Sequence, residues 1–204
     1  MIKVIDNVIG KRYQEEIKAT LFGKVFDWHY NRLLTSDNYG SASGFTHWLC
    51  ETRPEMNSKY YDFFSPLIYE VSNKSGVNYD HVIRARTFFQ LPSMNEKDHD
   101  FFHIDDIEVP HTVFLYYVND SDGDTVILKN KFEYGKDEDD DSTAGNPNWH
   151  NPKGLITDDA HIEILERVTP KQGRVVVFDG AHYHAAGIPK YNERIVLNFD
   201  VFVP

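Results

Sequence analysis

The chain has 204 residues, 41% hydrophobic and 14% aromatic, and its 21 basic and 32 acidic side chains give a formal charge of −11. A chain of this size and composition buries a real core, which excludes wholesale disorder. Its charge has the wrong sign for gripping phosphate backbones, so nucleic acid is an unfavourable partner. Cys50 is the only cysteine, which excludes an intrachain disulfide, and no stretch is apolar enough to span a membrane. A single domain over residues 1–204, soluble in a reducing compartment such as the cytoplasm, is the expectation; nothing in the sequence fixes its oligomeric state.

From the N-terminus, Lys11 to Leu21 carries Tyr13, Ile17 and Leu21 at helical spacing with charges between them. Pro54 to Ser75 reads as a second helix, with Tyr60, Phe63, Phe64, Leu67, Ile68 and Val71 on its buried side. Between them Asp37 to Gly44 reads as loop, followed by the strand-like Phe45-Thr46-His47-Trp48-Leu49. Residues 1–81 are thus a helical support region whose aromatics, among them Phe26, Trp28 and Tyr30, pack against the C-terminal part of the chain.

From Val82 the pattern changes to short β-branched and aromatic runs separated by turns, as in an antiparallel barrel or sandwich. Strands are predicted at Val82 to Leu91, Phe101 to Asp105, Thr112 to Val118, Thr125 to Lys129, Ile162 to Val168, Arg174 to Phe178 and Arg194 to Val203. Asn119 to Asp124 and Lys171-Gln172-Gly173 read as turns. Phe132 to Ala160 is too long and irregular for an ordinary connection and reads as a mobile excursion, with Trp149 and His150 as possible substrate contacts. Its acidic run, Asp137 to Asp141, lacks the spacing of a calcium loop.

Chemistry concentrates in His103-Ile104-Asp105. Alternate residues of a strand share a face, so His103 and Asp105 would point together while Ile104 points away. Imidazole and carboxylate donors suit non-haem iron, where two histidines and one acid leave the opposite side of the ion open. Downstream, Arg174 to Phe178 is a buried strand ending at Asp179-Gly180, with His182 and His184 beyond it. On the last strand Arg194, Val196 and Asn198 share one face, and Ile195, Leu197 and Phe199 the other. An arginine pointing inward requires an anion, and its planar guanidinium matches a carboxylate through two parallel hydrogen bonds.

Together, His103-x-Asp105, the strand Thr112 to Asn119 followed by Asp122-Gly123-Asp124-Thr125, Phe178-Asp179-Gly180-x-x-x-His184, and Arg194 ten positions later resemble the iron(II) and 2-oxoglutarate-dependent oxygenases. The likeness is to the prolyl 4-hydroxylase-like branch, including its short bacterial and phage members, and covers roughly Val82 to Pro204. It implies a mainly β protein with N-terminal helices (α+β) and a double-stranded β-helix, or jelly-roll, core over 82–204. It also implies Fe(II) held by His103, Asp105 and His184, with 2-oxoglutarate anchored by Arg194 and O2 as the third reactant. Thr125, Asn198, and either Tyr116 or Tyr117, of which only one can face inward, are the further co-substrate contacts. The implied reaction hydroxylates an unactivated C–H bond of a small-molecule or peptide substrate and releases succinate and CO2; a phage-type member would work in a host cell. Two features depart from the family pattern: no tyrosine lies between His81 and Phe102, and the usual Gly-Gly-Glu-Thr turn is replaced by Asp122-Gly123-Asp124-Thr125.

Other residues weigh less. His99 and His111 flank the first motif as loop residues or supports, Asp106 should face away from Asp105, and Arg84 and Arg86 share a face with Phe88 and Gln90 as surface ion pairs or substrate contacts. The rival functions are a non-catalytic jelly-roll binding or assembly module and a zinc hydrolase using the same ligands.

Overall fold

The computed structural model describes residues 1–34, 42–52, 55–94, 97–135, 155–156 and 162–204. In chain order the elements are β1 (Ile2–Ile5), α1 (Lys11–Leu21), β2 (His29–Asn31), β3 (Gly44–Thr52), β4 (Glu55–Asn57), α2 (Tyr61–Phe64) and α3 (Pro66–Ser75). After these come β5 (His81–Gln90), β6 (Phe102–His103), β7 (Thr112–Tyr117), β8 (Thr125–Lys131), β9 (Leu155–Ile156), β10 (Ile164–Val168), β11 (Val175–Asp179), β12 (His182–Ala186) and β13 (Arg194–Phe202). The strands expected from Val82 onward are all present, with ends shifted by no more than two residues, and the strand-like Phe45 to Leu49 extends to Gly44–Thr52.

The strands form two antiparallel sheets. The larger runs β1-β11-β7-β13-β5-β3-β2, with β4 also paired to β3; the smaller runs β10-β8-β12-β6-β9. Alternation along β7 and β13 sorts their side chains into two compartments. Phe114, Tyr116, Val118, Ile195, Leu197, Phe199 and Val201 pack outward on α1 and α3, where Ile17, Leu21, Leu67, Ile68 and Val71 are buried. Val113, Leu115, Tyr117 and Val196 point inward, where Ile127 and Val168 of the smaller sheet meet them. A third cluster, with Phe102, Val126, Leu128, Tyr183 and Ala185, covers the outer face of the smaller sheet. Two facing sheets from alternating chain segments make the core a double-stranded β-helix.

Three expectations are corrected. The single helix over Pro54 to Ser75 is not formed: Glu55–Asn57 is a strand, and helix begins only at Tyr61. It divides at Pro66, which has no N–H to continue α2 but starts α3 without cost; α3 ends at Gly76, whose φ of 71° suits glycine. Residues 1–81, expected as helical support, also supply β1 to β4, and β1 pairs along its whole length with β11. The strand expected from Phe101 to Asp105 is only Phe102–His103, and Asp105 follows it in a bend. Of the excursion expected over 132–160, residues 136–154 and 157–160 lie outside the described residues, and with them Trp149, His150 and the acidic run; Leu155–Ile156 pairs with β6.

Candidate metal centre and co-substrate pocket

His103 and His184 are cross-strand partners on β6 and β12, and their rings lie 4.6 Å apart between centroids. The bend after β6 brings Asp105 between them: His184 Nε2 is 3.2 Å from Oδ2, and His103 Nε2 is 3.9 Å from Oδ1. One donor atom from each residue falls within 4.8 Å of the others. The outer ring nitrogens fix the tautomers. His103 Nδ1 faces the Phe101 carbonyl at 3.2 Å and His184 Nδ1 the His182 carbonyl at 3.1 Å. A carbonyl only accepts, so each Nδ1 carries a proton and each Nε2 is the ring nitrogen left facing the site.

Electrostatics favour a cation here. Burial, helped by neighbouring His184, pushes His103 down to about 4, so its imidazole is neutral. Burial would depress His184 too, but the hydrogen bond and charge of Asp105 outweigh it and raise its pKa. Burial would raise Asp105, but the Arg86 charge and the histidine contacts hold it well below the usual carboxylate range. With the His184 proton displaced, two imidazole nitrogens and an ionised carboxylate are the donor set that a small divalent ion needs.

Arg194 begins β13 and is 3% exposed. Its Nε donates to the Gly123 carbonyl at 3.0 Å, Nη1 to Gln90 Oε1 at 2.9 Å and Nη2 to Thr125 Oγ1 at 2.8 Å. No carboxylate among the described residues pairs with it, and burial lowers its pKa below the ordinary arginine value. Tyr117 lies beneath, its ring 5.8 Å from the guanidinium carbon and its hydroxyl donating to Thr125 Oγ1 at 2.7 Å. The turn at 119–124 reaches the same place because Asp122 accepts hydrogen bonds from the backbone N–H groups of Lys190, Tyr191 and Asn192, which joins it to the segment before β13.

Four residues along the same face, roughly 13 Å at about 3.3 Å per residue, Asn198 donates from Nδ2 to Asp105 Oδ2 at 3.1 Å. Val196 lies between. The inner face of β13 therefore carries, at one end, a guanidinium with no carboxylate partner among the described residues, then an apolar floor, and at the other end a contact with the Asp105 carboxylate.

Of the residues read from the sequence, the structure brings together His103, Asp105, His184 and Asn198 at one end of this face, and Arg194, Thr125 and Tyr117 at the other. Tyr116 is elsewhere: alternation turns it outward among the helices, where its hydroxyl is buried with no hydrogen-bond partner among the described residues. His182 is also turned away, with Nδ1 on the Leu128 carbonyl at 2.7 Å and a register shift between it and His184. His99 packs on Phe102, and Asp106 caps the turn through Glu108 and Val109. His111 packs against Gly180, where a Cβ would fall 2.3 Å from Nε2. Gln90 is a site residue that sequence reasoning missed, although its place on one face with Arg84, Arg86 and Phe88 was the signal that could have found it. A cleft of about 340 Å³ opens beside Asp105, lined by Glu51, Arg84, Asp106, Ile107 and Glu108.

The two sheets make a double-stranded β-helix, a fold shared with solved 2-oxoglutarate and Fe(II) oxygenases. An oxidoreductase of the 2OG-Fe(II) oxygenase family from Burkholderia pseudomallei superposes with a TM-score of 0.61 at 13% identity, over 98% of this chain and 84% of that one. HygX from Streptomyces hygroscopicus, with nickel, 2-oxoglutarate and hygromycin B bound, gives 0.59 at 11% identity over 99% and 82%. A prolyl hydroxylase from Trichoplax adhaerens, in complex with a hypoxia inducible factor peptide fragment, gives 0.57 at 14% over 99% and 83%. No protein-family model and no curated protein matches the sequence.

Proposed function

We propose that the protein is an iron(II)- and 2-oxoglutarate-dependent dioxygenase that hydroxylates an unactivated C–H bond. The observation that carries this reading is Arg194: a buried guanidinium with no acid partner among the described residues, on the same strand face that meets the donor trio His103, Asp105 and His184. A buried unpaired charge costs several kcal/mol, roughly, unless a counter-ion arrives, and a dicarboxylate that also reaches the metal supplies one. A hydrolytic zinc site has no use for such an anchor.

His103, His184 and Asp105 would hold the metal through two Nε2 atoms and one carboxylate oxygen. Arg194 and Thr125 would receive the far carboxylate of 2-oxoglutarate, Tyr117 would fix the Thr125 hydroxyl, and Val196 would lie under the methylene carbons. Burial pushes the Tyr117 hydroxyl up to about 12, so it stays protonated and donates. When bound, iron and 2-oxoglutarate activate O2 for hydroxylation, with succinate and CO2 as the other products. The protein's own part is to fix the donors, exclude water from the sheet interior and leave the cleft beside Asp105 for substrate.

The substrate is a small molecule or a peptide. A prolyl side chain is the choice favoured by the branch resemblance and by the fold shared with a peptide-bound prolyl hydroxylase; the hygromycin B complex represents the small-molecule alternative.

Anaerobic addition of Fe(II) and 2-oxoglutarate tests the reading. A weak visible charge-transfer band is expected with the wild type and none with His103→Ala or His184→Ala. Folded wild-type protein that gives no band, and forms no succinate in air, would sink it and leave a binding module.

A further inference from the structure

The register between β13 and β5 sets Arg194 opposite Gln90, Val196 opposite Phe88, Asn198 opposite Arg86 and Asp200 opposite Arg84. Beyond the co-substrate end, the inner face therefore carries two arginines across from an amide and an acid. Arg84 Nε donates to Asp200 Oδ2 at 2.9 Å and its Nη2 donates to the backbone carbonyl of Asp105. Arg86 Nη2 donates to Asp105 Oδ1 at 2.5 Å and lies 3.8 Å from Asp200 Oδ2. Two guanidinium groups thus balance two buried carboxylates.

That balance settles what the nearby donors Asp105, His111 and Asp200 can do. They lie close enough to group around a cation, but Arg84 and Arg86 both reach Asp200 Oδ2, so a divalent ion between Asp105 and Asp200 would face two guanidinium groups. The same balance gives Arg86 a task. Its guanidinium lies over the Trp48 ring at 5.2 Å and the Phe88 ring at 5.1 Å, and its side chain is 15% exposed. Contact with two aromatic rings restrains the guanidinium, and a restrained fork restrains the carboxylate it grips. Oδ1 of Asp105 is the gripped oxygen; Oδ2 is the one nearest His184 Nε2.

We propose that Arg86, clamped by Trp48 and Phe88, is a positioning residue for the metal centre: it sets the rotation of the Asp105 carboxylate so that one oxygen, Oδ2, is presented to the ion. This rests on the reading of His103, Asp105 and His184 as metal ligands. Asp105 lies in a bend rather than a strand, so no backbone ladder orients it. Arg86 and Asn198 do so from opposite oxygens, while Arg84 pins its carbonyl.

Titration of the apo protein with Mn(II) alone, counting free ion by electron paramagnetic resonance, tests this without turnover. Losing a partner of a ligating group weakens metal binding by roughly 10- to 100-fold, and that loss is expected for Arg86→Gln with the cooperative thermal transition retained. Arg86→Lys keeps the charge but not the fork and should recover only part of the affinity. Trp48→Leu, at a position 37% exposed, leaves Arg86 in place but removes one of the two rings that restrain it. It should cost about three- to ten-fold, and it carries the test if Arg86→Gln fails to fold. Wild-type affinity in both Arg86→Gln and Trp48→Leu would overturn the proposal and leave the ligand assignment standing. Full recovery in Arg86→Lys would assign the effect to charge alone and overturn the positioning role. Wild-type protein that binds no Mn(II) would overturn both the ligand assignment and this inference.

Discussion

Arg194 and Gln90 face each other across the ladder between β13 and β5, with Nη1 of the arginine donating to Oε1 of the glutamine at 2.9 Å. Glutamine is neutral, so it orients the guanidinium without discharging it. The positive charge stays available to an incoming carboxylate. Arg194→Gln is accordingly expected to weaken 2-oxoglutarate binding to the Mn(II) protein by about 10- to 100-fold, the size of a charged hydrogen bond. Gln90→Leu, which removes only an orienting contact, should cost about three- to ten-fold. Isothermal titration calorimetry with 2-oxoglutarate measures both; unchanged affinity in Arg194→Gln would remove the anchor from the assignment.

His182 and His184 are separated by one residue but point to different surroundings, one at the Leu128 carbonyl and the other at Asp105. His184→Ala should abolish Mn(II) binding, whereas His182→Ala should leave it within about two-fold of wild type, since no donor of the trio is lost. Counting free Mn(II) against protein concentration separates them, and the reverse pattern would exchange the two roles.

Metal affinity should fall on acidification, chiefly through His184. Its pKa is raised above the usual histidine value, so the apo protein keeps a proton on that ring to a higher pH than a free imidazole would. Metal must displace this proton, and affinity drops as pH falls through the raised pKa. His103, held down to about 4, adds nothing until the solution is much more acidic. Titrations in buffers of different ionisation enthalpy should register proton release on metal binding that grows as the pH is lowered, and an affinity that does not fall on acidification would contradict this assignment.

Tyr116 and Tyr117 are neighbours with opposite expectations. Tyr117→Phe removes the hydroxyl that donates to Thr125 and should weaken 2-oxoglutarate binding by about two- to ten-fold. Tyr116→Phe removes a buried hydroxyl that has no partner among the described residues. It should leave co-substrate affinity unchanged and raise stability in urea unfolding by about 1 kcal/mol, the lower range of the cost of an unsatisfied polar group. Loss of affinity in Tyr116→Phe would mean that the outward face of β7 reaches the pocket.

Much of the architecture was legible because period-two alternation survives in β7 and β13: the sorting of Arg194, Val196 and Asn198 to one face comes from their spacing alone. Elements whose existence depends on distant partners were not. β1 has four residues and becomes a strand because β11 offers it a ladder, and β12 is carried by pairing on both sides with β6 and β8. The division at Pro66 was visible in principle, yet a helical stripe on both sides of it concealed the break. The same limit applies to the site. His103 and Asp105 stood out by motif, whereas the shared face of Gln90 and Arg86 was legible but their roles come from the register that sets them opposite Arg194 and Asn198.

The pairing of β1 with β11 has a practical consequence for handling the protein. With Ile2–Ile5 in place, β11 has a neighbour on each side, β1 and β7. Trimming those residues would leave a row of Val175, Val176 and Val177 with free backbone donors and acceptors, a template for recruiting strands from other molecules. The strand that would become adhesive is also the one that leads through Asp179 and Gly180 to His184, so self-association and damage to the donor trio should appear together.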